Sequence, residues 1–337
     1  MRLFKGYALK RALGGTNLVK RRRAWDSEGV ASTVGTIMAL MIFMTLLSVF
    51  TNQYVPVWME DNEAKHMSNV EAQFGNLKWA MDNQILAAHN GGSLDIMIYS
   101  PVTLGSEGVP MFASPTIGFL NILPNEGASN ISFNYTVYSA NYTATLYAVS
   151  GNSSGAIEMV APNRYYVQQT YIYQNDALIL EQPDGQIVKS MPQFRIRQEG
   201  TFYRLSVAQV SLIGVNKSYA GAGTTGIHTA LRYTASDYYE NAANISGYDA
   251  SDFTSNITYK IYSQQAVAWE HFFTNYLNRT SVPYNASTPT QNHSASFAVC
   301  NLTCLDKNIT FTFDYRYLTS VTVTQAQFEL IVGEEGG

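Results

Sequence analysis

The 337 residues are 46% hydrophobic and carry a formal net charge of −4, which leaves ample apolar content for one large domain or two ordinary ones. The charge is unevenly placed. Residues 1–23 hold eight basic groups and no acidic one, so the remainder sums to −12. A basic head on an acidic body marks a nucleic-acid arm, a membrane-facing segment or a targeting leader, and the apolar run that follows excludes nucleic acid as a partner.

No charged residue occurs between Gly29 and Met59. Residues 30–50 form an apolar run that, as a helix rising about 1.5 Å per residue, covers a hydrocarbon core of about 30 Å, with membrane lipid as its partner. A core helix of a soluble protein would show a polar face, and none is present. The basic flank places the N-terminus in the cytoplasm and the remainder outside the cell. Trp25, Tyr54 and Trp58 bracket the run as interfacial anchors do. It exceeds the h-region of a cleaved secretory signal, and no small-residue cleavage site follows.

Beyond the membrane, Met67, Val70, Phe74, Leu77, Met81 and Ile85 recur every three or four residues, with Lys65, Glu71, Gln73, Lys78 and Asp82 between them. This predicts an amphipathic helix ending at Asn90-Gly91-Gly92. Pro56 at the join predicts a kink.

After residue 93, polar and apolar residues alternate. Phe133, Tyr135 and Val137 mark one strand, Ile309, Phe311, Phe313 and Tyr315 a second, and Val321 and Val323 a third. Runs at 94–99, 165–173, 177–180, 201–215 and 257–262 add others, separated by turn signals at Pro183-Asp184-Gly185 and Gly151-Asn152-Ser153. The expected fold is thus a long N-terminal helix, transmembrane and then amphipathic, followed by an all-β, antiparallel sandwich-like extracellular domain of one or two subdomains. A single short helix is expected at 264–277, with Val267, Phe272 and Phe273 inward. The domain plan is a cytoplasmic leader over 1–29, a membrane helix over 30–50, a helical stalk over 51–92 and the β-rich region over 93–337.

Twelve N-x-S/T sequons occur, at Asn130, Asn134, Asn141, Asn152, Asn216, Asn244, Asn256, Asn278, Asn285, Asn292, Asn301 and Asn308. None of the nine asparagines before residue 130 opens one. Enrichment confined to one region predicts glycan acceptors in a chain that has crossed a membrane. The two cysteines, Cys300 and Cys304, predict a small local disulfide in that compartment, contributing about 2 kcal/mol through its short loop. Two sulfurs without clustered histidines do not make a metal site.

No catalytic pattern is present. Gly221-Ala222-Gly223-Thr224-Thr225-Gly226 matches G-x-G-x-x-G but precedes no apolar-periodic helix, so it reads as a β-loop and no cofactor is expected. The five histidines are scattered, and the expectation is that the protein is not an enzyme.

The basic leader Lys20-Arg21-Arg22-Arg23, the segment Gly29-Val30-Ala31-Ser32-Thr33-Val34-Gly35-Thr36-Ile37-Met38 and the stretch from Pro101 to Pro110 resemble archaeal type IV pilin-like surface proteins, over about residues 20–125. Thr33 stands where that pattern often has proline. The resemblance implies that a prepilin-type peptidase removes the leader on the cytoplasmic side. A cut after Arg23 makes Glu28 the fifth mature residue, a cut after Ala24 makes it the fourth, and a start at Gly29 matches the archaeal pattern. It also implies a type IV pilus-like assembly in which the apolar helix packs against copies of itself or other pilins. The other reading is a permanently anchored surface glycoprotein acting as adhesin or binding module.

Overall fold

The computed structural model describes residues 27–139, 142–240, 256–289 and 291–333. The chain divides into two compact units, one reaching Gln53 and the other starting at Tyr54.

In the first unit, helix α1 spans Ser27–Val49. Its apolar side chains point to every side, and Ile37, Met38, Leu40, Met41, Ile42, Phe43 and Leu46 are all exposed. Thr36 and Thr45 return their hydroxyls to carbonyls one turn back, which removes two donors from an apolar surface. This helix is long and apolar enough to cross a membrane. The ladder then widens to a π-turn over Phe50–Tyr54, just before Pro56. Proline supplies no N–H to the carbonyl four residues back, so the hydrogen-bond pattern changes at the expected position.

Within the second unit, helix α2 (Val55–His89) closes in a left-handed cap at Gly91, with Gly92 N–H donating to Ala87 O at 2.8 Å and Gly91 N–H to Ala88 O at 3.1 Å. Strands β1 (Met97–Thr103), β2 (Gly118–Leu123), β3 (Ser129–Ser139), β4 (Tyr142–Ser153), β5 (Ala156–Ala161), β6 (Gln169–Gln174), β7 (Ala177–Gln182), β8 (Gly185–Ser190) and β9 (Phe194–Glu199) follow. After them come β10 (Phe202–Ile213), β11 (Lys217–Gly221), β12 (Thr224–Glu240), β13 (Asn256–Tyr262), helix α3 (Ala266–Thr280), β14 (Tyr284–Ser287), β15 (Asn292–His293), β16 (Cys300–Leu305), β17 (Asn308–Asp314) and β18 (Leu318–Val332).

Three sheets result: β1-β12-β18-β10-β9, β11-β2-β5-β6-β7-β8 and β15-β14-β16-β17-β13-β3-β4. Pairing is antiparallel except for β10 with β18 and β14 with β16, which run parallel and which the alternation pattern gave no means of foreseeing. The predicted turn at Gly151-Asn152-Ser153 is instead strand, paired with Ile131, Asn130 and Ser129. Residues 221–226 form the corner between β11 and β12, a β-loop as expected.

Two apolar cores lie between these layers. One joins α2 to Leu120, Ile157, Met159, Tyr171 and Tyr173 of the six-stranded sheet and to Val210, Leu212, Phe328 and Leu330 of the five-stranded sheet. The other gathers α3, the inner face of the seven-stranded sheet and the far ends of β10 and β18. The region after residue 54 is therefore one unit, and α2 is a core element of it rather than a separate stalk. In α3 the buried stripe is Ala266, Trp269, Glu270, Phe273 and Leu277, whereas Val267 is 46% exposed. The expected inward face was rotated, because Trp269 and not Val267 shares the turn-by-turn spacing of Phe273 and Leu277.

Candidate functional site

The seven-stranded sheet has one dry face and one wet face. Its strands follow an alternation in which Ile257, Tyr259, Ile261, Leu302, Ile309, Phe311 and Phe313 are buried while Asn256, Lys260, Asn301, Thr303 and Asn308 face outward. A sequon fits this pattern in a specific way. In Asn256-Ile257-Thr258, Asn301-Leu302-Thr303 and Asn308-Ile309-Thr310, the first and third residues point to solvent and the middle one enters the core. Asn130-Ile131-Ser132 and Asn285-Ala286-Ser287 repeat it, with Asn130 and Asn285 half-buried.

Asparagine is a poor strand former, and a wet strand position is served better by threonine, glutamine or arginine. The five-stranded sheet obeys this rule and has no asparagine in any strand. In the seven-stranded sheet every strand asparagine opens a sequon: Asn130, Asn134, Asn152, Asn256, Asn285, Asn292, Asn301 and Asn308. Asn152 and Asn292 are exposed. Off that sheet, exposed Asn216 lies between β10 and β11 and exposed Asn278 in the last turn of α3. Asn141 and Asn244 lie outside the described residues, as do Arg23 and Ala24; Glu28 and Gly29 fall in the first turn of α1.

The expected disulfide is absent. Cys300 and Cys304 are free and buried. Both sit on the inward face of β16, and four residues of extended strand separate their Cα atoms by about 13 Å, beyond the ~7 Å a bridge can span. Burial pushes the Cys300 thiol up to about 12; burial and the adjacent Glu270 carboxylate push Cys304 up to about 11. Both remain protonated and unreactive at neutral pH.

Lys78, which the sequence pattern places on the wet side of α2, and Glu63 and His66, which it passes over, are buried, while Lys65 stays exposed and Glu71 half-buried. Glu63 receives Thr116 Oγ1–H at 2.6 Å and the backbone N–H groups of Arg164, Tyr165 and Tyr166 at 2.8–3.1 Å. Burial raises its carboxyl, but these four donors together outweigh that and hold it below its ordinary value of 4.5. Next to it, burial lowers His66 below its ordinary 6.5, and the neutral ring's Nε2 lies 2.9 Å from Thr103 O. Lys78 reaches Asp176 at 2.5 Å and Asp82 at 3.0 Å, and Asp176 also accepts Gln193 N–H at 2.6 Å. Burial, only partly offset by Lys78, pushes Asp176 up to about 7. These groups fasten α2 to the sheets.

The described cavities are open grooves. One of about 560 Å³ lies along Ser129, Asn130, Asn152, Lys260, Tyr262 and Asn308, and another of about 570 Å³ is lined largely by Ile122, Ile213, Val215, Tyr219, Ile331 and Val332. The second groove also holds Lys217 and Glu329, the latter paired with Arg232, and among the described residues no three metal-ligating side chains cluster.

No known family profile matches the chain, and no solved structure matches it. A stretch of 165 residues, 46% of this chain, is 23% identical to a protein of Archaeoglobus fulgidus described only as uncharacterized. The chain spans about a quarter of that relative's length.

Proposed function

We propose that this chain is a pilin-like cell-surface protein, a subunit or minor component of a type IV pilus-like assembly, with its N-terminus in the cytoplasm and a glycosylated β-rich unit outside the cell. The observation that carries this reading is the change of character along the helical residues. Ser27–Val49 offers apolar side chains in all directions, whereas Val55–His89 buries one face in the β-rich unit. A helix of the first kind is equally satisfied by lipid and by other apolar helices, and Gly35, Ala39 and Ser48 permit close approach between copies. The outward stripe of α2 supports the same reading. It holds two large apolar side chains two turns apart, Trp79 at 69% and Leu86 at 59% exposed, which a neighbouring copy would cover. The archaeal origin of the distant relative agrees with the motif resemblance in residues 20–38.

The test is N-terminal sequencing of the protein isolated from its native membrane. A start between Ala24 and Gly29 is expected. An intact N-terminus through Lys20-Arg21-Arg22-Arg23 would replace this reading with a permanently anchored surface glycoprotein.

A further inference from the structure

Two pairs of sequon asparagines are direct cross-strand neighbours on the wet face of the seven-stranded sheet. Asn130 is in register with Asn152, and its Nδ2 donates to Asn152 Oδ1 at 2.5 Å. Asn285 is in register with Asn301, and its Nδ2 donates to Asn301 Oδ1 at 3.0 Å. The asymmetry is the same in both. The half-buried partner uses its amide nitrogen as a donor, and the exposed partner accepts through oxygen, so that its own nitrogen takes no part in the pair. Asn285 is further committed because its Oδ1 accepts Ala295 N–H at 3.0 Å.

We propose that this wet face is the glycan-bearing surface of the protein and that each pair carries one glycan, on Asn152 and on Asn301, while Asn130 and Asn285 stay unmodified as their supports. The inference rests on the glycoprotein part of the reading above. Attachment replaces one Nδ2–H by a bond from Nδ2 to the anomeric carbon of a lipid-phosphate-activated glycan. The anomeric C–O bond to phosphate breaks, the lipid phosphate leaves with the electron pair, and the amide proton passes to base. On the exposed partner the exchange leaves the cross-strand hydrogen bond untouched, because its oxygen makes that bond, whereas on the half-buried partner it takes one of the two hydrogens of the very nitrogen that donates. A second glycan on the same pair does not fit. The Cβ atoms of directly opposed residues lie about 5 Å apart, and a hexose ring with its hydroxyls is broader than that. Two sugars would have to part the strands that position them.

Trypsin provides a direct readout, because residues 280–307 contain no internal Lys or Arg and include Asn285, Asn292 and Asn301 in one peptide. Mass spectrometry of that intact glycopeptide, from protein purified from its native cells, reports co-occupancy in single molecules. The expected result is glycan at Asn301 in excess over Asn285 by about tenfold, the ratio set by one hydrogen bond, with no peptide modified at both. In Asn301→Ala the Asn285 nitrogen loses its acceptor, and the glycan is expected to move to Asn285. Joint occupancy of Asn285 and Asn301, preference for Asn285, or an Asn285 that stays bare in Asn301→Ala would overturn the proposal. Glycans confined to Asn216 and Asn278 would overturn it and leave the glycoprotein reading standing. A protein without glycan at any sequon would overturn both.

Discussion

Glu63 shows how much a single buried side chain can organise. Its carboxylate closes the hydrogen bonds of three consecutive backbone N–H groups, Arg164 to Tyr166, in a segment between β5 and β6 that has no sheet partner to do so. Its depressed pKa means that the unfolded chain binds a proton more readily than the folded one. The stability it contributes is present above about pH 4.5 and is lost as pH falls through the lower folded value. Glu63→Gln is expected to lower stability by about 2 kcal/mol near neutrality, since an amide oxygen replaces an ionised acceptor of four donors. Denaturant titrations of both proteins should show that gap shrinking as the pH is taken below 4.5. A gap independent of pH would mean that the carboxylate charge is not what the segment needs. Nothing in the sequence sets Glu63 apart from Glu60 or Glu71, because the loop that answers it is about 100 residues away.

At the scale of elements, α2 was legible as a helix and its end at Gly91 followed from glycine's freedom at positive φ. Its apolar stripe was also read correctly, and each of Met67, Val70, Phe74, Leu77, Met81 and Ile85 is buried. What the spacing could not reveal is that Lys78 belongs to the inner side. Its partner Asp176 sits in the two-residue corner between β6 and β7, where Asn175 and Asp176 both take positive φ, as tight hairpins demand. Lys78 thereby fixes the helix against a hairpin tip, and the arrangement is costly to halve. Lys78→Met removes the cation that offsets the burial of Asp176, so the carboxyl must take up a proton or stay charged without a partner, and is expected to cost about 3 kcal/mol. Adding Asp176→Asn, which tolerates the same backbone and removes the charge, should recover most of that loss in a double-mutant cycle by thermal unfolding. Additive losses would refute the pairing. Half-wet strands such as β13 and β17 were legible, but Gly118–Leu123, Phe194–Glu199 and Cys300–Leu305, which alternate as well, were not marked. Ala156–Ala161, with its mostly buried run, was missed because alternation disappears when both sides of a strand are covered. The cysteine pair misled for a related reason: C-x-x-x-C implies proximity in a loop or helix, and extension on β16 removes it.

For the whole molecule, the chain divides into a bare apolar helix, long enough to cross a membrane, and a unit with two cores. The wet sheet face, α2's outward stripe and the edges of the sheets all belong to the second unit. If the N-terminal side of α1 lies inside, protease added to intact cells should remove the region after residue 54 and leave a protected fragment that contains residues 30–50. Protection of the β-rich unit would reverse the orientation. The sequence could show that sequons are confined to one region, but only folding reveals that those from distant stretches, Asn130 and Asn308 among them, meet on one sheet.

The strand β18 occupies the middle of its sheet, between β12 and β10, and supplies side chains to both cores. Translation delivers it after the other described strands, so until then β10 and β12 each present a long unpaired edge where their neighbour will lie. Maturation of this unit is therefore a single late event. A chain interrupted anywhere before Leu318 would not yield a smaller working version, but an open sheet with two adhesive borders.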